Sequence, residues 1–355
     1  MNILIVEPYY AGSHKQWVDG LMKYSDHQCV LISLRGKYWK WRMSGGAISL
    51  ANQFLELNYK PDLILCSDML DLVLFKSLLN DSCNTPFWIY FHENQLTYPF
   101  QDKKAEDRHY GFINYTSALV ADKVLFNSDY HRQTFLTAVK RFLKILPDER
   151  NLENVKLIKS KSSVLHLGLE LSEVVGSQKG DLPVFLWNHR WEYDKNPELF
   201  FETLFKLKDL GYPFRLNVLG ESFADAPEIF EIARVELSDQ IDHWGYIDSK
   251  EGYNEILRKS NIVLVTSNQD FFGISVVEAI ASGCYPILPS RLAFPEIIPF
   301  EEFFYCQDEL IVDQVKNVLD TQSFLLSKPV LLEFVTRYHW QNCIHQYDAV
   351  FDKLD

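Results

Sequence analysis

The chain alternates, almost from end to end, between short runs of β-branched and apolar residues and longer stretches of helical period, and few architectures accommodate that pattern. In the first half the expected strands are Ile3–Val6, Cys29–Leu34, Leu63–Cys66, Phe87–Phe91, Val120–Asn127 and Ser163–Leu167; helices are expected near His14–Tyr24, Asp68–Asn80, Tyr110–Leu119 and Tyr130–Leu146. A second series opens with Val184–Trp187, passes through Asn261–Thr266 and a helix at Ser275–Ser282, and closes with one long helix over Val330–Leu354. Such a βα series predicts an α/β protein whose mainly parallel sheets are covered on both faces. A chain of 355 residues suits two domains of about 170 each. The polar stretch Glu173 to Asp181, followed by Pro183, reads as the linker. The expected plan is a doubly wound acceptor-binding domain over residues 1–172 and a second doubly wound domain over 183–355, facing a central cleft. The last helix is long enough to cross back toward the first domain.

Several classes lose support. The six cysteines show no CxxC spacing, which argues against a disulfide framework or a zinc knuckle. MNILIVEPYY lacks a basic leader and is interrupted by Glu7 and Pro8, so it reads as a first strand rather than a signal peptide. No apolar run reaches membrane-spanning length, and a cytoplasmic location without stable membrane association is expected. GxGxxG and GxxxxGK[ST] are both absent, which removes the simplest support for nicotinamide enzymes and P-loop NTPases. The net charge of −13 argues against indiscriminate nucleic-acid binding, yet Arg35 to Arg42 (RGKYWKWR) carries four basic and no acidic residues.

Polar residues crowd the turns that follow strands, where open α/β sheets bind ligands. Asp270, Phe272, Gly273 and Ile274 lead into a helix carrying Glu278, a layout that offers N–H groups to an anion and carboxylates to sugar hydroxyls. Arg190 and Lys195 could converge on one diphosphate and neutralise it as it departs. In the first half, Gly12 would let a substrate approach the backbone, Ser13 is the expected helix cap, and His14 at the helix start is expected neutral because the dipole opposes its charge. His92, Glu93 and Asn94 stand directly after a buried strand, where His92 or Glu93 could orient or deprotonate an acceptor hydroxyl. Arg35, Lys37, Lys40 and Arg42 interleave with Tyr38, Trp39 and Trp41 in what reads as a loop; the rings suit stacking on bases and the cations suit phosphates. Each group also has a plain reading: a turn residue, a solvated carboxylate, a surface ion pair, or tryptophans packed against the domain. The residues alone leave both open.

Taken together, Arg190…Lys195 and Asp270…Glu278 within DFFGISVVEAIASGCYP resemble a retaining glycosyltransferase of the GT-B fold, family 4, in which two Rossmann-like domains flank the substrates. The usual first acidic residue there is glutamate, so Asp270 is a shorter substitute. EPYYAGSHKQW, RGKYWKWR, FHENQLTYPF and FNSDYHR narrow the resemblance to the tRNA-queuosine mannosyltransferase family over nearly the whole chain. That resemblance implies transfer of mannose from GDP-mannose onto the cyclopentenediol of queuosine at the wobble position of tRNA for aspartate, with retention and without a metal or other cofactor. It implies catalytic roles for His92, Arg190, Lys195 and Asp270, and donor contacts from Gly12, Arg190, Lys195, Asp270, Phe272, Gly273, Ile274 and Glu278. The acceptor and tRNA would meet Ser13, His14, Arg35, Lys37, Tyr38, Trp39, Lys40, Trp41, Arg42, Glu93, Asn94, His131 and Arg132. The competing readings are the same fold acting on a lipid, glycan or small acceptor with another sugar donor, and a non-catalytic tRNA-binding protein.

Overall fold

The computed structural model describes residues 1–79, 84–99, 108–172, 180, 182–222, 226–326 and 329–354. Two α/β units emerge: Met1–Glu170 with Tyr338–Asp355, and Leu171–Arg337. The first unit contains β1 (Asn2–Tyr10), α1 (Gly12–Tyr24), β2 (Gln28–Arg35), α2 (Trp39–Leu57), β3 (Leu63–Ser67), α3 (Leu72–Leu79), β4 (Phe87–Phe91), α4 (Arg108–Val120), β5 (Lys123–Phe126), α5 (Asp129–Lys144), α6 (Asn154–Ser160) and β6 (Ser162–Val164). Its sheet runs β2-β1-β3-β4-β5-β6, every pairing parallel. Every residue of β3 and β4 is buried, which is why these segments are apolar throughout instead of alternating.

The second unit contains β7 (Val184–Asn188), α7 (Pro197–Asp209), β8 (Arg215–Leu219), α8 (Ile229–Glu236), β9 (Ile241–Gly245), α9 (Lys250–Lys259), β10 (Ile262–Leu264), α10 (Ile274–Ala281), β11 (Tyr285–Pro289), α11 (Phe294–Ile297), β12 (Phe304–Tyr305), α12 (Ile311–Asp320) and α13 (Pro329–Thr336). The order is β12-β11-β10-β7-β8-β9, again all parallel. In each sheet the winding reverses at one place, between β1 and β3 and between β7 and β10. Doubly wound sheets bind ligands at the carboxyl ends of the strands flanking such a reversal.

Three local expectations change. The RGKYWKWR segment is not a loop: from Trp39 it is α2, whose Met43, Ala47, Leu50, Ala51 and Phe54 face the core. The long helix expected over Val330–Leu354 is two helices, α13 and α14 (Trp340–Phe351). Between them the backbone of Tyr338 and Trp340 exchanges hydrogen bonds with Leu169 (2.8 and 3.1 Å), which no continuing helix could do. α14 belongs to the first unit: the Trp17 indole donates to the Tyr347 hydroxyl at 3.1 Å, and the Trp340 ring fills the space a Cβ would take at Gly20 and Gly168. Ser13 does not cap α1, which begins at Gly12 with Ala11 at the cap position, two residues earlier than expected.

Among the described residues, Cys29, Cys66, Cys284, Cys306 and Cys343 are free thiols, and no helix is long and apolar enough to cross a membrane. Cys83 and all of the expected linker except Gly180 lie outside the described residues.

Candidate active site

In the second unit, the loop after β7 and the loop after β10 carry the charged groups together. Lys195 is 8% exposed, and its Nζ stands 3.2 Å from Asp194 and 3.3 Å from Asp270 while donating to the Gln269 carbonyl at 2.6 Å. Burial opposes the ammonium, but the two carboxylates outweigh it and raise the lysine above its ordinary range, so the cation persists. Arg190, by contrast, is exposed and pairs with Glu192 at 3.0 Å. An ion pair with an exposed guanidinium contributes little to stability.

Gly273 caps α10 with φ of 89°, a conformation that favours glycine. Phe272 is buried, and Ile274 starts α10, whose first N–H groups lack intrahelical partners. One turn on, Glu278 accepts from the Tyr253 hydroxyl at 2.9 Å. Burial raises its carboxyl, opposed by that hydrogen bond and by Lys250. The Asn188 amide donates both to Tyr253 (3.2 Å) and to the Ser275 carbonyl (2.8 Å), fixing α10 against the end of β7. Asp194, His189, Ser275 and Tyr253 were not singled out from sequence. His189 pairs through Nδ1 with the Ser275 hydroxyl at 3.0 Å, and burial lowers its pKa to about 4, so it is neutral. Its position directly after a buried strand was the available signal.

In the first unit, Glu7, His14, Asp68 and His92 gather at the ends of β1, β3 and β4. Glu7 is 0% exposed and meets His14 Nδ1 at 3.0 Å. The expectation of a neutral His14 is therefore wrong: although burial lowers its pKa, the Glu7 carboxylate overrides burial and raises it to about 9. A buried carboxylate in contact outweighs the partial charge of a helix end. His92 lies on the His14 ring, centroids 4.2 Å apart, and is held well below its ordinary range by burial and by the neighbouring charge. Asp68 accepts from the His92 backbone N–H at 2.8 Å, and burial pushes its carboxyl up to about 8.

The other first-unit residues expected to meet the substrates divide. Gly12, with φ of 50°, is exposed at the start of α1. Tyr38 and Trp41 are 79% and 62% exposed, flanked by exposed Arg35, Lys37 and Lys40 and partly exposed Arg42, whereas Trp39 packs on Tyr110. Glu93 accepts from Gln95 at 3.0 Å, and Arg132 forms a local ion pair with Asp129. Asn94 and His131 do not reach a surface: both are 0% exposed. The Asn94 carbonyl accepts from the Leu96 and Thr97 backbone, organising its own loop. His131 bonds Asn127 at 2.8 Å among Phe91 and Phe126, and burial lowers its pKa to about 3.

Residues 2–169 match the family profile described as tRNA-queuosine alpha-mannosyltransferase N-terminal, and residues 172–324 match glycosyl transferases group 1. The tRNA-queuosine alpha-mannosyltransferase of Drosophila melanogaster is 35% identical over 321 residues, covering 87% of this chain and 85% of that protein. The chain belongs to the tRNA-queuosine alpha-mannosyltransferase family. Solved structures similar to this queuosine mannosyltransferase family member include Anabaena HepE in complex with UDP-glucose (TM-score 0.71, 13% identity, 99% of each chain covered). The lipopolysaccharide outer core galactosyltransferase WaaB is a second (TM-score 0.68, 13% identity, 99% of this chain and 100% of that one). At such identities the likeness establishes the fold, which is GT-B. With the family match, it makes the chain a glycosyltransferase.

Proposed function

We propose that the chain transfers mannose from GDP-mannose to the cyclopentenediol of queuosine at the wobble position of tRNA for aspartate, with retained configuration. The observation that carries this reading is the convergence of Lys195, Asp270 and the α10 start on one site, in a chain whose first unit matches the queuosine-specific profile. Lys195 and Arg190 stabilise the departing diphosphate, Glu278 meets the nucleotide ribose and Asp270 the hexose. The bond from mannose C1 to the diphosphate oxygen breaks, C1 bonds to the acceptor oxygen, and the acceptor proton passes to the departing GDP. His92 is too weak a base to take that proton near neutral pH and serves as an orienting hydrogen-bond partner.

Incubation with queuosine-containing and queuosine-free tRNA and a panel of sugar nucleotides, read by nucleoside mass, tests this. One added hexose only on queuosine and only with GDP-mannose is expected; transfer to queuosine-free tRNA would sink it. Arg190→Ala is expected to lower transfer by about 10²-fold, while its unfolding midpoint in urea stays nearly unchanged because the side chain is exposed. On the RNA side, Tyr38 and Trp41 stack on bases while Arg35, Lys37, Lys40 and Arg42 meet phosphates. Neutralising those four cations is expected to weaken tRNA binding and flatten its salt dependence by roughly 0.7 for each phosphate of an unpaired strand that is no longer neutralised. An unaltered slope would place the RNA elsewhere.

A further inference from the structure

Glu7 has no solvent exposure, yet both its oxygens are committed: Oε1 accepts from the Tyr9 backbone N–H at 2.8 Å and Oε2 faces His14 at 3.0 Å. A carboxylate buried in this way demands a cation, and His14 is the one in contact. The His14 ring is thereby fixed through Nδ1, and its Nε2 has no hydrogen-bond partner among the described residues. His92, 93% buried, has neither ring nitrogen bonded. Two touching imidazoles thus differ in character: a cation that only donates, and a neutral ring that both donates and accepts. Beside them the first turn of α1 is open, since a Cβ built on Gly12 would meet nothing within 4 Å. The other groups facing His14 are Tyr9 on β1, Asp68 after β3 and Glu93 after β4; the carboxyl groups favour its charge.

We propose that Glu7 is a positioning residue that holds His14 as a cation, and that His14 and His92 together read the two oxygens of a vicinal diol. The His14 Nε2–H donates to one hydroxyl, and the neutral His92 accepts from the other, which is the nucleophile. This rests on the acceptor assignment above, and it adds what selects the diol and which hydroxyl reacts.

Glu7 holds His14 protonated above the ordinary histidine range. Its favourable contribution is whole below the ordinary histidine range and fades as pH rises through about 9. In wild type, kcat/KM for tRNA is expected to fall on the alkaline side with that midpoint. In Glu7→Gln the limb moves toward about 6.5, giving roughly a thirtyfold deficit at pH 8 and near recovery at pH 5.5, mostly in KM for tRNA. Because Glu7→Gln could misfold, wild-type protein labelled with 15N-histidine supplies a second reading: His14 titrates near 9, and His92 stays neutral. Queuosine nucleoside shifts both rings, and its acetonide, with the diol blocked, shifts neither.

A His14 titrating in the ordinary range, a folded Glu7→Gln with an unmoved limb, or ring signals indifferent to queuosine would overturn the proposal. So would a stoichiometric metal retained by wild type and lost from Glu7→Gln, because Glu7, His14 and His92 each bring a ligand-type atom within 4.8 Å of the others. Wild-type protein that transfers no hexose to queuosine would sink the function itself, while the histidine titration still reads the ion pair.

Discussion

Lys195→Ala is expected to lose about 3–5 kcal/mol of unfolding free energy, the usual consequence of removing one partner from a buried ion pair. Transfer should drop by about 10²–10³-fold at the same time. Two effects coincide because one ammonium serves two carboxylates, Asp194 and Asp270, whose side chains are 1% and 16% exposed. Without the lysine both carboxylates are left in poor solvent, and the Gln269 carbonyl loses its donor. Urea unfolding measures the first effect and nucleoside mass the second. A companion variant separates charge from packing: Lys195→Met with Asp270→Asn should recover part of the stability and none of the transfer. Lys195→Ala with an unmoved urea midpoint would show that this cation is not integral to the folded loop.

Gly220→Ala should be comparably severe, at about 3 kcal/mol or more. Gly220 follows β8 with φ of 134°, and a Cβ there would stand 2.0 Å from the His189 carbonyl oxygen. That oxygen is backbone and accepts from the Trp187 indole at 3.0 Å, so a retreat would also break this hydrogen bond. The methyl group would push the His189–Arg190 segment off the end of β7 and displace Arg190, the residue proposed above to meet the diphosphate. Donor binding followed by calorimetry is expected to weaken along with stability; unchanged donor affinity in a folded Gly220→Ala would separate this loop from the donor.

Much of this arrangement was legible in the sequence because parallel strands buried on both faces read as continuous apolar runs, as in LILCS of β3 and FWIYF of β4. The polar segments that follow buried strands β7, β10 and β4 carry Lys195, Asp270 and His92. α2 was missed: the spacing of Met43, Ala47, Leu50, Ala51 and Phe54 carries a helical period, but Gly45 and Gly46 disguised it. At Gly45 the reason for glycine is steric: a Cβ there would stand 2.8 Å from the Trp41 ring. The charge of His14 was not legible, since it depends on Glu7, seven residues earlier on β1 and brought into contact only by the turn into α1. His131 misled for the opposite reason. Its neighbours in sequence are polar, whereas its neighbours in space are Phe91 and Phe126.

The seating of the Trp340 indole against Gly20 and Gly168 bears on how the protein is made. Residues Met1–Glu170 leave the ribosome before Leu171–Arg337, but their fold is completed by Tyr338–Asp355. During synthesis the amino-terminal unit must wait, with Gly20, Gly168 and Trp17 uncovered, until an entire second unit has been translated. Nascent chains stalled before Tyr338 would be prime clients for chaperones.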